Sequence, residues 1–132
     1  MSTELLISIF GATTAIVVSI IGALLTKQNN IILQIRKLKE EHYTSFIEAL
    51  HNNAAENSDK TLKNLVLSRD KMLLIANENV INRMLDYEKF GIGKSSELHD
   101  KYLTELIKEI RKDLKIKDKN FPMIGFKKST FN

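Results

Sequence analysis

The sequence predicts an all-α protein in which a single N-terminal transmembrane helix continues into a small cytosolic helical bundle, the whole self-associating. Three observations carry that expectation. Leu5 to Leu25 reads LLISIFGATTAIVVSIIGALL, without a charge, a proline or a strongly polar side chain. Apolar residues after it recur at helical spacing in stretches separated by cap-type residues. Nothing between Leu25 and His51 interrupts a helix, and the only proline, Pro122, lies near the end.

The apolar run comes first. At about 1.5 Å of rise per residue it spans roughly 31 Å, close to a hydrocarbon thickness of about 30 Å. A helix is the one single-segment structure that satisfies its own backbone donors and acceptors in lipid. A secretory signal would place positive charge ahead of the run, whereas here Met1-Ser2-Thr3-Glu4 leads and Lys27, Arg36, Lys37 and Lys39 follow. The positive-inside bias therefore predicts an external N-terminus and a cytoplasmic C-terminal bulk.

Within this run Gly11, Ala15, Ser19 and Ala23 recur every four residues, and Ser8, Ala12, Gly22 and Thr26 widen the same small face. Beside bulky Ile16, Val17, Ile20 and Leu24, such a ladder lets two helix backbones approach closely. It predicts membrane-helix association into a homo-oligomer whose number stays open. No ionisable group lies between Glu4 and Lys27, which speaks against a pump or proton relay. Ser8, Thr13, Thr14 and Ser19 suit either the lining of a narrow pore or bonds between helices.

Beyond the membrane, Ile31, Ile35 and Leu38 fall at coiled-coil spacing and form a membrane-proximal seam, for copies of the helix or for the domain that follows. Tyr43, Phe46, Ile47 and Leu50 broaden it into a bundle-packing face. One helix is therefore expected from the membrane to about Asn52, followed by a polar break, His51–Ser58, with Ser58 or Asp59 as the next N-cap. A second helix, about Lys60 to Ala76, carries Leu62, Leu65, Val66, Arg69, Leu73 and Ala76 on one side. Leu67, Leu74 and Ile75 lie off that stripe, so this helix is expected at the centre of the bundle. Asn77-Glu78-Asn79 starts a third, with Val80, Ile81, Met84, Leu85 and Phe90 apolar. Gly91 is expected to end it in a left-handed conformation. Ser95 or Ser96 caps a fourth, to about Leu114, built on Leu103, Leu106, Ile107, Ile110 and Leu114. Leu98 and Tyr102 lie alongside, and Asp100, Glu105, Lys108, Glu109, Arg111 and Lys112 form a solvated outer face. The expected segments are thus 1–27, 28–52, 53–114 and a tail, 115–132.

The tail sets Lys115, Lys117, Lys119, Lys127 and Lys128 against one acid, Asp118, with Phe121, Met123, Ile124, Phe126 and Phe131 interleaved. Basic residues mixed with aromatics suit an anionic lipid surface or a polyanion; the alternative is a tail packed on the bundle. The full chain has a net charge of +4, a mild excess that fits a protein beside an anionic membrane or one binding nucleic acid.

Catalysis is not expected. With no cysteine there are no disulfides, thiolate metal sites or cysteine nucleophiles. Gly91-Ile92-Gly93-Lys94-Ser95 ends like a phosphate-binding loop, but the required first glycine is Glu88 and the segment follows a helix. Glu48 and His51 form one Glu-x-x-His step, where a di-iron bundle needs two and further inward carboxylates. No cofactor and no small-molecule substrate is predicted.

The layout of most of the chain resembles small single-pass bacterial membrane effectors of phage-defence systems. The residues behind the likeness are the run Leu5–Leu25, Leu73-Leu74-Ile75-Ala76, and Leu106-Ile107-Lys108-Glu109-Ile110-Arg111-Lys112-Asp113-Leu114. The resemblance implies residence in the bacterial cell membrane and an antiviral function. It also implies a homo-oligomer that forms an ion channel or perturbs the bilayer, controlled through the cytosolic helices by an oligonucleotide or protein regulator. The alternatives are a membrane-tethered adaptor and a nucleic-acid-binding helical module.

Overall fold

In a computed structural model, which describes residues 2–126, the chain is all-helical, with no strand among the described residues. Four helices follow in order: α1, Thr3–Glu56; α2, Asp59–Ile75; α3, Glu78–Phe90; and α4, Ser96–Asp113. The chain divides into two compact units, one up to Arg36 and one from Lys37 onward, and α1 contributes residues to each.

In the first unit every described residue is exposed. Among the described residues one helix, α1, is long and apolar enough to cross a membrane; it lies near the N-terminus, and its most apolar window has no buried residue. Three threonine hydroxyls in this stretch bond back to their own helix. Thr13, Thr14 and Thr26 each donate at 2.9 Å to the carbonyl four residues earlier, on Ile9, Phe10 and Gly22.

The second unit begins with the end of α1, which runs four residues past the expected Asn52. His51 to Asn53 stay helical because Ala54, Ala55 and Glu56 after them are good helix formers. The helix stops at Asn57, whose φ of 48° is a left-handed conformation that asparagine tolerates. Ser58 then caps α2 through a reciprocal box: Thr61 N–H donates to Ser58 Oγ at 3.2 Å, and Ser58 N–H to Thr61 Oγ1 at 2.9 Å. Asn77 caps α3 by accepting Val80 N–H at 2.9 Å, and Ser95 caps α4 through Leu98 N–H.

The core draws on all four helices. Tyr43 and Phe46 come from α1, Met72 from α2, Val80, Met84 and Tyr87 from α3, and Leu103, Leu106 and Ile110 from α4. Ile47, Leu50, Leu65 and Ile107 pack around them half-buried. Among the described residues no buried side-chain nitrogen or oxygen lacks a hydrogen-bond partner.

Two expectations are corrected. α2 is not central: only Thr61 and Met72 are buried, while Leu62, Val66, Leu67, Leu73 and Leu74 are exposed, Leu74 to 84%. The helix touches the core along one narrow side, and its other leucines point away from it. Gly91 is not left-handed; its φ is −107°, and the positive φ belongs to Gly93, at 72°. Glycine is needed at 91 for space instead. A Cβ there would lie 2.8 Å from Tyr87 Cδ2, 2.9 Å from the Tyr87 carbonyl oxygen and 3.2 Å from Tyr102 Cβ. The last turn of α3 at Tyr87, with Tyr102 of α4 behind it, excludes a side chain.

α4 ends in a Schellman turn. Lys115 N–H donates to Lys112 O at 3.1 Å and Ile116 N–H to Arg111 O at 2.9 Å, with Lys115 at φ 63°. The chain then returns along α4. Arg111 holds Asp118 by two 2.8 Å bonds and lies over the Phe121 ring. Ile124 N–H donates to Thr104 Oγ1 at 3.2 Å, and Phe126 N–H to Asp100 Oδ1 at 3.3 Å.

Candidate membrane segment and the polar nodes of the bundle

The small-residue ladder Gly11, Ala15, Ser19 and Ala23 lies at i, i+4 spacing on one face of α1, all four exposed. A Cβ placed at Gly11 or Gly22 would meet nothing within 4 Å, so no packing inside this chain calls for glycine at either position. The seam residues Ile31, Ile35 and Leu38 are exposed as well. Thr13 and Thr14, expected either at a pore or between helices, already spend their protons on their own backbone. Such back-bonding is how hydroxyl side chains reside in apolar helices without an external acceptor.

The bundle is tied by a polar node that the sequence pattern did not reveal. The Asp113 carboxylate, at the end of α4 and with only 7% of its side chain exposed, gathers three donors. Tyr43 O–H donates to Oδ2 at 2.5 Å, Asn77 Nδ2 to Oδ1 at 2.7 Å, and Lys39 Nζ to Oδ1 at 3.1 Å. Asn77 thus works twice, its oxygen capping α3 and its nitrogen holding α4. Burial, reinforced by the bond and the negative charge of Asp113, pushes the Tyr43 phenol far above its usual range; a backbone N–H of Asn77 pulls weakly the other way. Tyr43 therefore remains a donor under all ordinary conditions.

A second chain of polar contacts joins α3 to α4. The Tyr87 hydroxyl lies 2.9 Å from His99 Nε2, and His99 Nδ1 lies 3.2 Å from Asp100 Oδ1. Phe126 meets the His99 ring edge-on with centroids 6.2 Å apart. Burial raises the Tyr87 phenol to about 12, the Asp100 charge adding to it. A Tyr–His–Asp series can relay a proton in principle, but here Tyr87 is buried in the core and is held neutral. Asp100 is accordingly a structural acceptor and not part of a solvated face.

Arg69, on the leucine side of α2, makes a doubly bonded ion pair with Glu88 of α3, with Nη2 to Oε2 at 3.0 Å. The Glu88 hydrogen bond is the main reason its guanidinium titrates above the ordinary arginine range. Arg111 stabilises the Asp118 carboxylate in the same way, chiefly through their hydrogen bond, and lowers its pKa.

Of the tail residues, Lys115, Lys117 and Lys119 are exposed, while Phe121, Ile124 and Phe126 are half-buried. The tail packs on α4 through these apolar side chains and leaves its lysines outward. Lys127, Lys128 and Phe131 lie outside the described residues. Glu48 lines a groove of about 410 Å³ between α1 and α2, together with Glu41, His42, Ser45, Asn64 and Lys71, but His51 does not. Among the described residues no group of three His, Asp or Glu side chains is placed to hold a metal ion. No protein-family model, no curated protein and no solved structure matches this chain.

Proposed function

We propose that this protein is a non-catalytic, single-pass membrane effector that acts as a homo-oligomer and is governed by its cytosolic helical bundle. The observation that carries the reading is α1 itself. One helix supplies a fully exposed apolar stretch of membrane length and also three buried residues of the bundle, Tyr43, Phe46 and Ala49. Exposed apolar surface of that extent needs lipid or other copies to cover it. The charge bias supports an external N-terminus and a cytoplasmic bundle, and the bacterial cell membrane is what the likeness in layout implies. Assembly uses Gly11, Ala15, Ser19 and Ala23 in the bilayer and Ile31, Ile35 and Leu38 beyond it. The antiviral setting rests on the likeness in layout to phage-defence effectors.

In this reading a regulator bound to the bundle shifts the balance between closed and open assemblies, and it must bind the two states unequally to do so. Exposed Lys115, Lys117 and Lys119 favour an anionic regulator such as an oligonucleotide. A second reading, a membrane-tethered adaptor, is favoured by the internal bonding of Thr13, Thr14 and Thr26, whose hydroxyl protons are already spent on their own helix.

Ion flux in liposomes separates the two. An effector makes the vesicles leak, and G11L/A15L/S19L abolishes both the leak and the oligomer seen by crosslinking. An adaptor leaves the bilayer sealed. A complex with short oligonucleotides that weakens steeply with salt identifies the regulator class and, without any leak, favours a nucleic-acid-binding module.

A further inference from the structure

Two aromatic rings lie side by side between the last residue of α3 and the second turn of α4, and each carries a lysine. The Phe90 and Tyr102 ring centroids are 5.5 Å apart, with 32° between their planes. Lys89 Nζ lies over the Phe90 ring, 5.2 Å from its centroid, and Lys101 Nζ over the Tyr102 ring at 5.5 Å. The four groups form a ladder, cation, ring, ring, cation, drawn from two helices. Phe90 remains 41% exposed and Tyr102 is half-buried. The acids around the ladder leave its cations open. Asp86 pairs with Arg83, Glu88 with Arg69 and Glu105 with Lys108. Among the described residues Glu97 makes no ion pair, and neither do Lys89, Lys101 and the loop residue Lys94.

Open cations beside an exposed ring are what a single strand of nucleic acid requires: ammonium groups meet its phosphates, and a ring takes a base. We propose that this ladder is where a single-stranded oligonucleotide binds the bundle. A base stacks on Phe90, and Lys89 and Lys101 hold the phosphates on either side. The flexible Lys89 leaves the ring face for a phosphate as the base takes its place. The proposal rests on the oligonucleotide reading of the regulator and gives that regulator a site, at the junction of α3 and α4 instead of the tail. The tail is the poorer site because its described ring is not open. Phe121 is half-buried under Arg111, whose charge is closed on Asp118. An anionic lipid surface also takes lysines and apolar side chains, and exposed Ile92 in the loop would suit it. Lipid would use Phe90 only as apolar bulk, whereas a base needs the ring.

The test is fluorescence anisotropy of a short labelled oligothymidylate titrated with the full-length protein in nonionic detergent. F90L keeps the apolar bulk, removes the ring and is expected to weaken binding about tenfold. Inorganic polyphosphate, which has charge but no bases, binds wild type and F90L alike. K89A/K101A lowers the dependence of log affinity on log salt by about 1.4, the loss of two phosphate contacts to a single strand. The effect of F90L persists in a K115A/K117A/K119A background. Equal affinity of wild type and F90L for the strand overturns the proposal. So does binding that K115A/K117A/K119A abolishes and K89A/K101A leaves intact, in which case the oligonucleotide reading stands with its site in the tail. Absence of saturable strand binding overturns both. If the protein ignores the strand but binds phosphatidylglycerol micelles through Lys89 and Lys101, the ladder belongs to lipid and the proposal falls. Strand binding with vesicles that stay sealed supports this site and counts against the effector alone.

Discussion

The Tyr43 hydroxyl donates a 2.5 Å hydrogen bond to Asp113 across 70 residues of sequence. Because Lys39 and Asn77 reach the same carboxylate, one acid fastens α1, the start of α3 and the end of α4. Asp113→Ala is expected to destabilise the bundle by about 2–4 kcal/mol, since it leaves buried donors without an acceptor. Tyr43→Phe, which removes one donor and keeps the ring, should cost about 1 kcal/mol. Urea unfolding of the full chain in detergent, followed by circular dichroism, measures both. An unchanged midpoint for Asp113→Ala would show that the node does not hold the bundle.

The buried Tyr87 phenol makes stability depend on alkaline pH. Its folded pKa is raised from 10.0 to about 12. Between those values the folded chain keeps a proton that the unfolded chain has lost, so the contribution is complete below about pH 10 and drains away as pH rises toward 12. Its full size is about 2–3 kcal/mol. Wild type should lose melting temperature relative to Tyr87→Phe between about pH 10 and 12. Parallel curves for the two proteins would refute the assignment.

Gly91→Ala drives a methyl group against the Tyr87 carbonyl oxygen, a backbone atom that cannot step aside. Overpacking of this kind costs about 1–3 kcal/mol. Gly93→Ala meets nothing within 4 Å and pays only for its φ of 72°, about 1–2 kcal/mol. The distinguishing result is structural. The Gly91 variant should shift chemical shifts of Tyr102 on α4, and the Gly93 variant should not.

Lys115→Gly should stabilise the protein by about 1 kcal/mol. Lysine at φ 63° carries the left-handed penalty that glycine avoids, and the two Schellman hydrogen bonds are made by the backbone. Lys115→Ala should be nearly neutral, because alanine has the same Cβ. A thermal melt in which both variants behave alike would point to a role for the lysine charge instead.

Much of the fold was legible because the chain announces its helix ends locally. Ser58, Asn77 and Ser95 are each followed by the helix they cap, and Leu103, Leu106 and Ile110 sit where helical spacing puts them. α2 misled because leucines on several faces of a helix look alike whether a core or a partner covers them. Gly91 misled because a glycine needed for space beside Tyr87 looks, in sequence, like one needed for a left-handed turn. The Asp113 node was invisible for a related reason. Lys39, Tyr43, Asn77 and Asp113 are spread over three helices, and only the packed bundle brings them together. Gly11, Ala15, Ser19 and Ala23, like Ile31, Ile35 and Leu38, are exposed on α1.

That same long-range bond has a bearing on how the molecule is made. The apolar part of α1 leaves the ribosome before the bundle does. Tyr43 then waits for an acid translated 70 residues later, several seconds at about 5–20 residues per second. Its neighbour Phe46 waits almost as long for the apolar side chains of α4. The nascent protein thus spends several seconds with a finished apolar helix and an unfinished bundle, an order in which the exposed apolar surface exists before the core closes.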